Sequence, residues 1–211
     1  ATEITAHNYR IMRYIQDHFH FNSYFLNHYH LLLYNTHHYL FANAVIRNAI
    51  GMSIDRTDIV DTILEGNGRI ANGFMGIDSP YHDPAAPPLP YDPGEGVAIL
   101  KSDGWTLDPK AGVLVKNGRK FSFELLLNET SEIDYRVARN IKLNLSQIGI
   151  QVTVVPVPFE KLQKRYFQNT DFEAVLTEYG GAYDGPERLL EGWTPLINGK
   201  SSGGVFNSPE V

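Results

Sequence analysis

The chain has 211 residues, 43% of them hydrophobic and 20% charged, with a formal net charge of −6. That length supports one domain with a sizeable core, or at most two small ones. The acidic balance argues against nucleic acid as a partner, no apolar run is long enough for membrane insertion, and the absence of cysteine excludes disulfides, thiolate nucleophiles and cysteine-based zinc sites.

Taken in chain order, Ile4, Tyr9, Met12 and Ile15 suit a helix over residues 4–16. Residues 18–35 then turn aromatic and leucine-rich, which predicts β-strands. Val45, Ala49 and Met52, with Ile46 and Ile50 beside them, give a helix with a wide buried face over 43–52. Asp55 and Asp58 resemble a capped start for a second helix that runs to about Leu64 and ends at Gly66 and Gly68. A proline-rich loop over 79–96 leads to a helix at about 94–103, which Gly94 and Gly96 weaken.

The second half alternates regularly. A strand is predicted over Phe121–Leu127 and a helix over Asp134–Ile148, with Val137, Ile141, Leu145 and Ile148 on one face and Gly149 as its stop. A strand that is apolar on both faces follows over Gln151–Val157. Phe159, Leu162 and Tyr166 mark another helix, and Phe172–Glu178 a further strand. This β-α-β-α-β order implies an α/β fold with an open sheet covered by helices. In such sheets ligands sit beyond the carboxyl ends of the strands. The last predicted strand runs into Tyr179-Gly180-Gly181-Ala182-Tyr183-Asp184, where glycines admit close backbone approach and tyrosines offer flat contact surface.

Six of the eight histidines lie between His18 and His38, including the triplets His18-Phe19-His20 and His28-Tyr29-His30. Histidines at i and i+2 on a strand share a face, so the two triplets can meet across a hairpin. A metal site there requires a further ligand, and no carboxylate or third histidine stands at a convincing spacing. The expectation is that these are surface or interface residues of an aromatic-rich strand pair and hold no metal. The acidic stripe Asp55, Asp58, Asp61 and Glu65 reads as a solvated helix face. The glycines at 180, 181 and 185 lack the Lys-Ser/Thr of a phosphate loop, and neither a nucleophile elbow nor a His-Glu-x-x-His pattern is present.

Several segments resemble family 5 extracellular solute-binding proteins, the peptide, oligopeptide and nickel receptors of bacterial ABC importers. "YNTHHYLFANAVIRNAIGMSIDR" is similar to the family's pattern at Asn35, Thr36, Phe41, Ile46, Arg47, Ala49, Ile50, Ile54, Asp55 and Arg56. "YDPGEGVAILKSDGW" is similar at Tyr91, Asp92, Pro93, Leu100, Gly104 and Trp105. "ILEGNGRIANG" and "ARNIKLNLSQIGIQVTVV" resemble two more stretches in the right order. The resemblance implies a two-lobed receptor that closes on its ligand. Residues 1–211 would form a single-domain fragment, most of lobe II, an open mixed sheet flanked by helices, with the other lobe and the end of this one absent. Both Ala1-Thr2-Glu3 and the stretch to Val211 then read as cut ends.

The resemblance also implies no enzymatic activity and no cofactor. It implies a small-molecule or peptide solute, an ABC importer permease as partner through the full-length receptor, and a periplasmic or otherwise extracytoplasmic location, with lipoprotein anchoring one form of it. The ligand-binding residues carried over are Tyr179, Gly180, Gly181, Ala182, Tyr183 and Asp184. One departure stands out. Peptide-binding relatives carry Trp-x-x-Asp here, and the Asp holds the peptide α-ammonium, whereas this chain has Tyr179 and Ala182 at those positions. Two rival readings are a metal-dependent protein built on His18–His38 and the ligand-sensing domain of a DNA-binding regulator.

Overall fold

A computed structural model describes residues 28–73, 80 and 82–180. The predicted helix over 4–16 and the histidines at 18 and 20 lie outside those residues. The elements are β1 (His28–Tyr34), α1 (Ala44–Met52), α2 (Arg56–Asp58, continued by a π-helical turn Ile59–Ile63), α3 (Pro93–Ser102), β2 (Thr106–Asp108), β3 (Val113–Lys116), β4 (Arg119–Lys120), β5 (Ser122–Asn128), α4 (Glu132–Gln147), β6 (Gln151–Val157), α5 (Phe159–Gln163, continued by a π-helical turn Lys164–Gln168) and β7 (Ala174–Gly180).

The main sheet has the order β1-β7-β5-β6. β5 runs parallel to β6 and β7, and β1 runs antiparallel to β7. This is the open mixed sheet flanked by helices expected from the sequence. Alternation along the strands sorts side chains to two faces. Phe123, Leu125 and Leu127 of β5, Val152 of β6, and Ala174 and Leu176 of β7 pack with Val137, Ala138, Ile141 and Leu145 of α4. On the other face Leu126, Val157 and Val175 pack with Leu162, Tyr166 and Phe172. Burial on both faces explains the consecutive leucines Leu125–Leu127 of β5. A second sheet, β2-β3-β4, was not legible in the sequence because its strands are only 3, 4 and 2 residues long.

The motif residues fix local geometry. Asn35 donates its side-chain amide to the Thr170 and Phe172 carbonyls at 3.1 and 2.8 Å, and its own backbone N–H reaches the Glu173 carbonyl at 2.9 Å. The end of β1 is thereby locked to the start of β7. Arg47 donates to the Phe41 and Ala42 carbonyls, closing the turn before α1. Asp92 caps α3 by accepting from the Glu95 N–H at 2.9 Å, and Pro93 occupies the first turn. Trp105 is buried against Phe121, their ring centroids 4.5 Å apart. None of the four acidic-stripe residues is buried, and two of them also shape the helix. Asp55 caps α2 by accepting from the Asp58 N–H, and Asp58 accepts from Thr62 and from Asn140 of α4.

Two glycines have structural reasons. Gly149 ends α4 at φ +81, and a Cβ there would sit 2.9 Å from Leu107 and 3.2 Å from Leu114. Gly96 is buried in α3, where a Cβ would come within 2.8 Å of the Ala49 carbonyl oxygen. The loss of helix propensity at Gly96 therefore allows α3 to lie close against α1.

That contrast gives a test by urea denaturation. Gly94→Ala, whose new Cβ meets only the capping Asp92 Oδ1 at 3.3 Å, is expected to change stability by less than about 1 kcal/mol. Gly96→Ala is expected to destabilise it by about 1–3 kcal/mol through overpacking. Equal effects of the two substitutions would contradict the close approach of the helices.

Candidate functional site

The carboxyl ends of β5, β6 and β7 lie along one edge of the main sheet. The amino end of β1 and the N-terminus of α4 meet there too. β1 and β7 pair so that His28 stands opposite Gly180, Tyr29 opposite Tyr179 and His30 opposite Glu178. Parity places His30 and Glu178 on the same face as Leu32 and Leu176, the face that packs with α4. Helix α4 begins at its Ser131 cap, whose hydroxyl accepts from the Asp134 N–H at 3.2 Å. This brings Asp134 over the end of the β1–β7 pair.

The result is a three-residue cluster. His30 Nδ1 lies 3.1 Å from Asp134 Oδ1, and His30 Nε2 lies 3.9 Å from Glu178 Oε1. The Asp134 side chain is only 4% exposed, whereas His30 retains 31% and Glu178 47% of their side-chain surface. The hydrogen bond to Asp134 raises the His30 pKa above its ordinary 6.5; burial pulls it down, and the charges of Asp134 and Glu178 add to the rise. Burial also raises the Tyr29 hydroxyl pKa. Chemically, the edge offers an imidazole between two carboxylates, open to solvent on one side.

The sequence-predicted ligand residues fall partly on this edge. Tyr179 and Gly180 are strand residues, since β7 continues to Gly180 and does not stop at Glu178. The physical reason is pairing: β1 extends to His28 and supplies partners for both positions. Gly181, Ala182, Tyr183 and Asp184 lie outside the described residues. Of the two histidine triplets, His28-Tyr29-His30 forms the start of β1, and its partner strand among the described residues is β7. His37 and His38 are not part of the cluster; His38 Nε2 faces Glu173 at 3.4 Å near the opposite end of β1.

Sequence reasoning missed Asp134 and Glu178. The one available signal was the Ser131-x-x-Asp134 capping pattern, which marks a helix start at the carboxyl end of a strand.

The family model for bacterial extracellular solute-binding proteins, family 5 middle region, matches residues 12–199. The chain belongs to this family. It is 27% identical over 110 residues to the nickel-binding periplasmic protein of Escherichia coli, covering 52% of this chain and 21% of that protein. It is 29% identical over 141 residues to the oligopeptide-binding protein AppA of Bacillus subtilis, covering 65% of this chain and 26% of that protein. The chain thus spans about a quarter of the length of these relatives or less. Its fold is similar to that of Bacillus subtilis AppA solved with a nonapeptide, with a TM-score of 0.80 at 24% identity over 88% of this chain and 37% of that one. Brucella suis NikA, solved with Fe(III)-EDTA, gives 0.72 at 22% identity over 78% of this chain and 33% of that one. Family 5 members are receptors by description, and neither rival reading finds support in these similarities.

The raised His30 pKa has a signed consequence. A group whose pKa rises on folding contributes stability that is full below its unfolded value and fades as pH climbs through the folded value. The melting temperature of His30→Gln should therefore fall furthest below that of the parent near about pH 5.5, with the gap narrowing by about pH 8.5. A gap that widens with pH would mean that His30 folds as the neutral ring.

Proposed function

We propose that this chain forms most of lobe II of an extracytoplasmic receptor that delivers a small solute to an ABC importer. The observation that carries the reading is family membership, together with the placement of His28–His30, Asp134 and Glu178–Gly180 at one edge of the main sheet. Open α/β sheets bind ligands at this edge. The lobe performs no chemistry on its ligand. It supplies one half of a clamp, and contacts from both halves shift the open–closed equilibrium toward the closed state. The permease meets the closed receptor outside the membrane; among the described residues no helix is long and apolar enough to cross one.

The ligand class follows from a departure in the sequence. Ala182 replaces the carboxylate that peptide-binding relatives use for the α-ammonium. Burying an ammonium without a partner is costly. Tyr179 and Tyr183 are proposed to contact the ligand by stacking or through their hydroxyls, and Gly180, Gly181 and Asp184 to complete the contact set. The ligand is a solute or peptide that does not depend on a free N-terminus.

Both halves of this reading are tested by calorimetry with one peptide in free and N-acetylated forms. The 211-residue chain alone should bind neither form tightly, because the other lobe's contacts are missing. The full-length receptor should bind both equally, or bind neither. A charge-assisted contact is worth about 1.5–3 kcal/mol, so a free-amine preference of about ten-fold or more, abolished by Asp184→Asn, would show that Asp184 holds the ammonium. A submicromolar constant for the chain alone would remove the two-lobe clamp.

A further inference from the structure

We propose that His30, Asp134 and Glu178 form a binding site for a divalent first-row transition metal ion. Among the described residues these three form a group in which one ligand atom from each lies within 4.8 Å of the other two. The group joins three separate elements: adjacent strands β1 and β7, where His30 and Glu178 are direct partners, and the first turn of α4.

Metal–ligand bonds of about 2.0–2.2 Å bring ligand atoms to roughly 3–3.5 Å from one another. The His30–Asp134 pair stands at 3.1 Å through Nδ1, as a hydrogen bond that a metal ion on that nitrogen would replace. Glu178 stands 3.9 Å from the other ring nitrogen, Nε2, and is half-exposed, so its side chain swings to the Nδ1 side to complete the set. One imidazole with two carboxylates is a borderline donor set that suits zinc, nickel or cobalt and does not favour calcium or magnesium.

Electrostatics favour a cation in spite of the nearby helix. The N-terminus of α4 carries the equivalent of roughly half a positive charge, against two full negative charges on Asp134 and Glu178. Three protein ligands leave coordination positions open, and the exposed side of His30 and Glu178 supplies the entry path. The sequence alone pointed the other way, because Asp134 stands 104 positions from His30 and only the fold brings the two together.

The test uses the tag-free 211-residue chain, equilibrated separately with zinc and nickel salts, with elemental analysis after gel filtration and calorimetry of the metal-free protein. One equivalent of at least one ion is expected. His30→Ala and Glu178→Gln should each weaken binding by about ten-fold or more. Glu178→Gln is a conservative change at a half-exposed position and keeps the test open even where His30→Ala lowers stability. The proposal is overturned by absence of binding, by full retention in both variants, or by loss of metal only when His18 and His20 are both replaced by Ala. These outcomes are read with metal salts on the 211-residue chain, whereas the receptor assignment is tested with peptides on the full-length protein.

Discussion

The antiparallel register between β1 and β7 is the constraint on which the site depends. Because side chains alternate with a period of two, a slip of β1 by one residue would turn His30 away from α4 and send Leu33 into the position of Leu32. Two features hold that register. Asn35 clamps the last residues of β1 to the Thr170–Glu173 segment that leads into β7, through two side-chain bonds and one backbone bond. Leu32 and Tyr34 on one face and Leu33 on the other then pack against separate cores. The lock is at the far end of the strand pair from the site. The strand register thus places His30 and Glu178 at the carboxyl edge, and the contacts with Asp134 add to it.

The residues by which the chain resembles its family prove to be structural. Asn35 joins two strands, Arg47 closes a turn, and Asp55 and Asp92 cap helices. Trp105 packs on Phe121 where α3 passes into the small sheet. None of them lies at the carboxyl edge. Family membership therefore follows from how the scaffold is built. The candidate site at that edge is built from other residues, among them His30, Asp134 and Glu178.

The same division explains what could be read from the sequence. Long periodic elements were legible: the stripe Val137, Ile141 and Leu145 gave α4, and the apolar runs gave β5 and β6. The three short strands of the small sheet carried too few residues for a period to show. Gly96 looked like a flaw in a helix until the packing of α3 on α1 gave it a purpose. The bond from Asn140 to Asp58 spans 82 positions and leaves no local pattern. The cluster was out of reach for a related reason. His30 advertises itself in a histidine triplet, but its partners come from distant positions that only the β1–β7 register and the α4 N-cap bring together.

The central claim is that the carboxyl edge faces the ligand. Hydrogen–deuterium exchange on the full-length receptor, with and without a bound solute, tests it most directly. The account predicts new protection at His28–His30, at the Ser131–Asp134 turn and at the end of β7, with the α1–α3 face and the small sheet unchanged. Protection confined to α1, α3 or β2–β4, with the carboxyl edge exchanging as before, would contradict it.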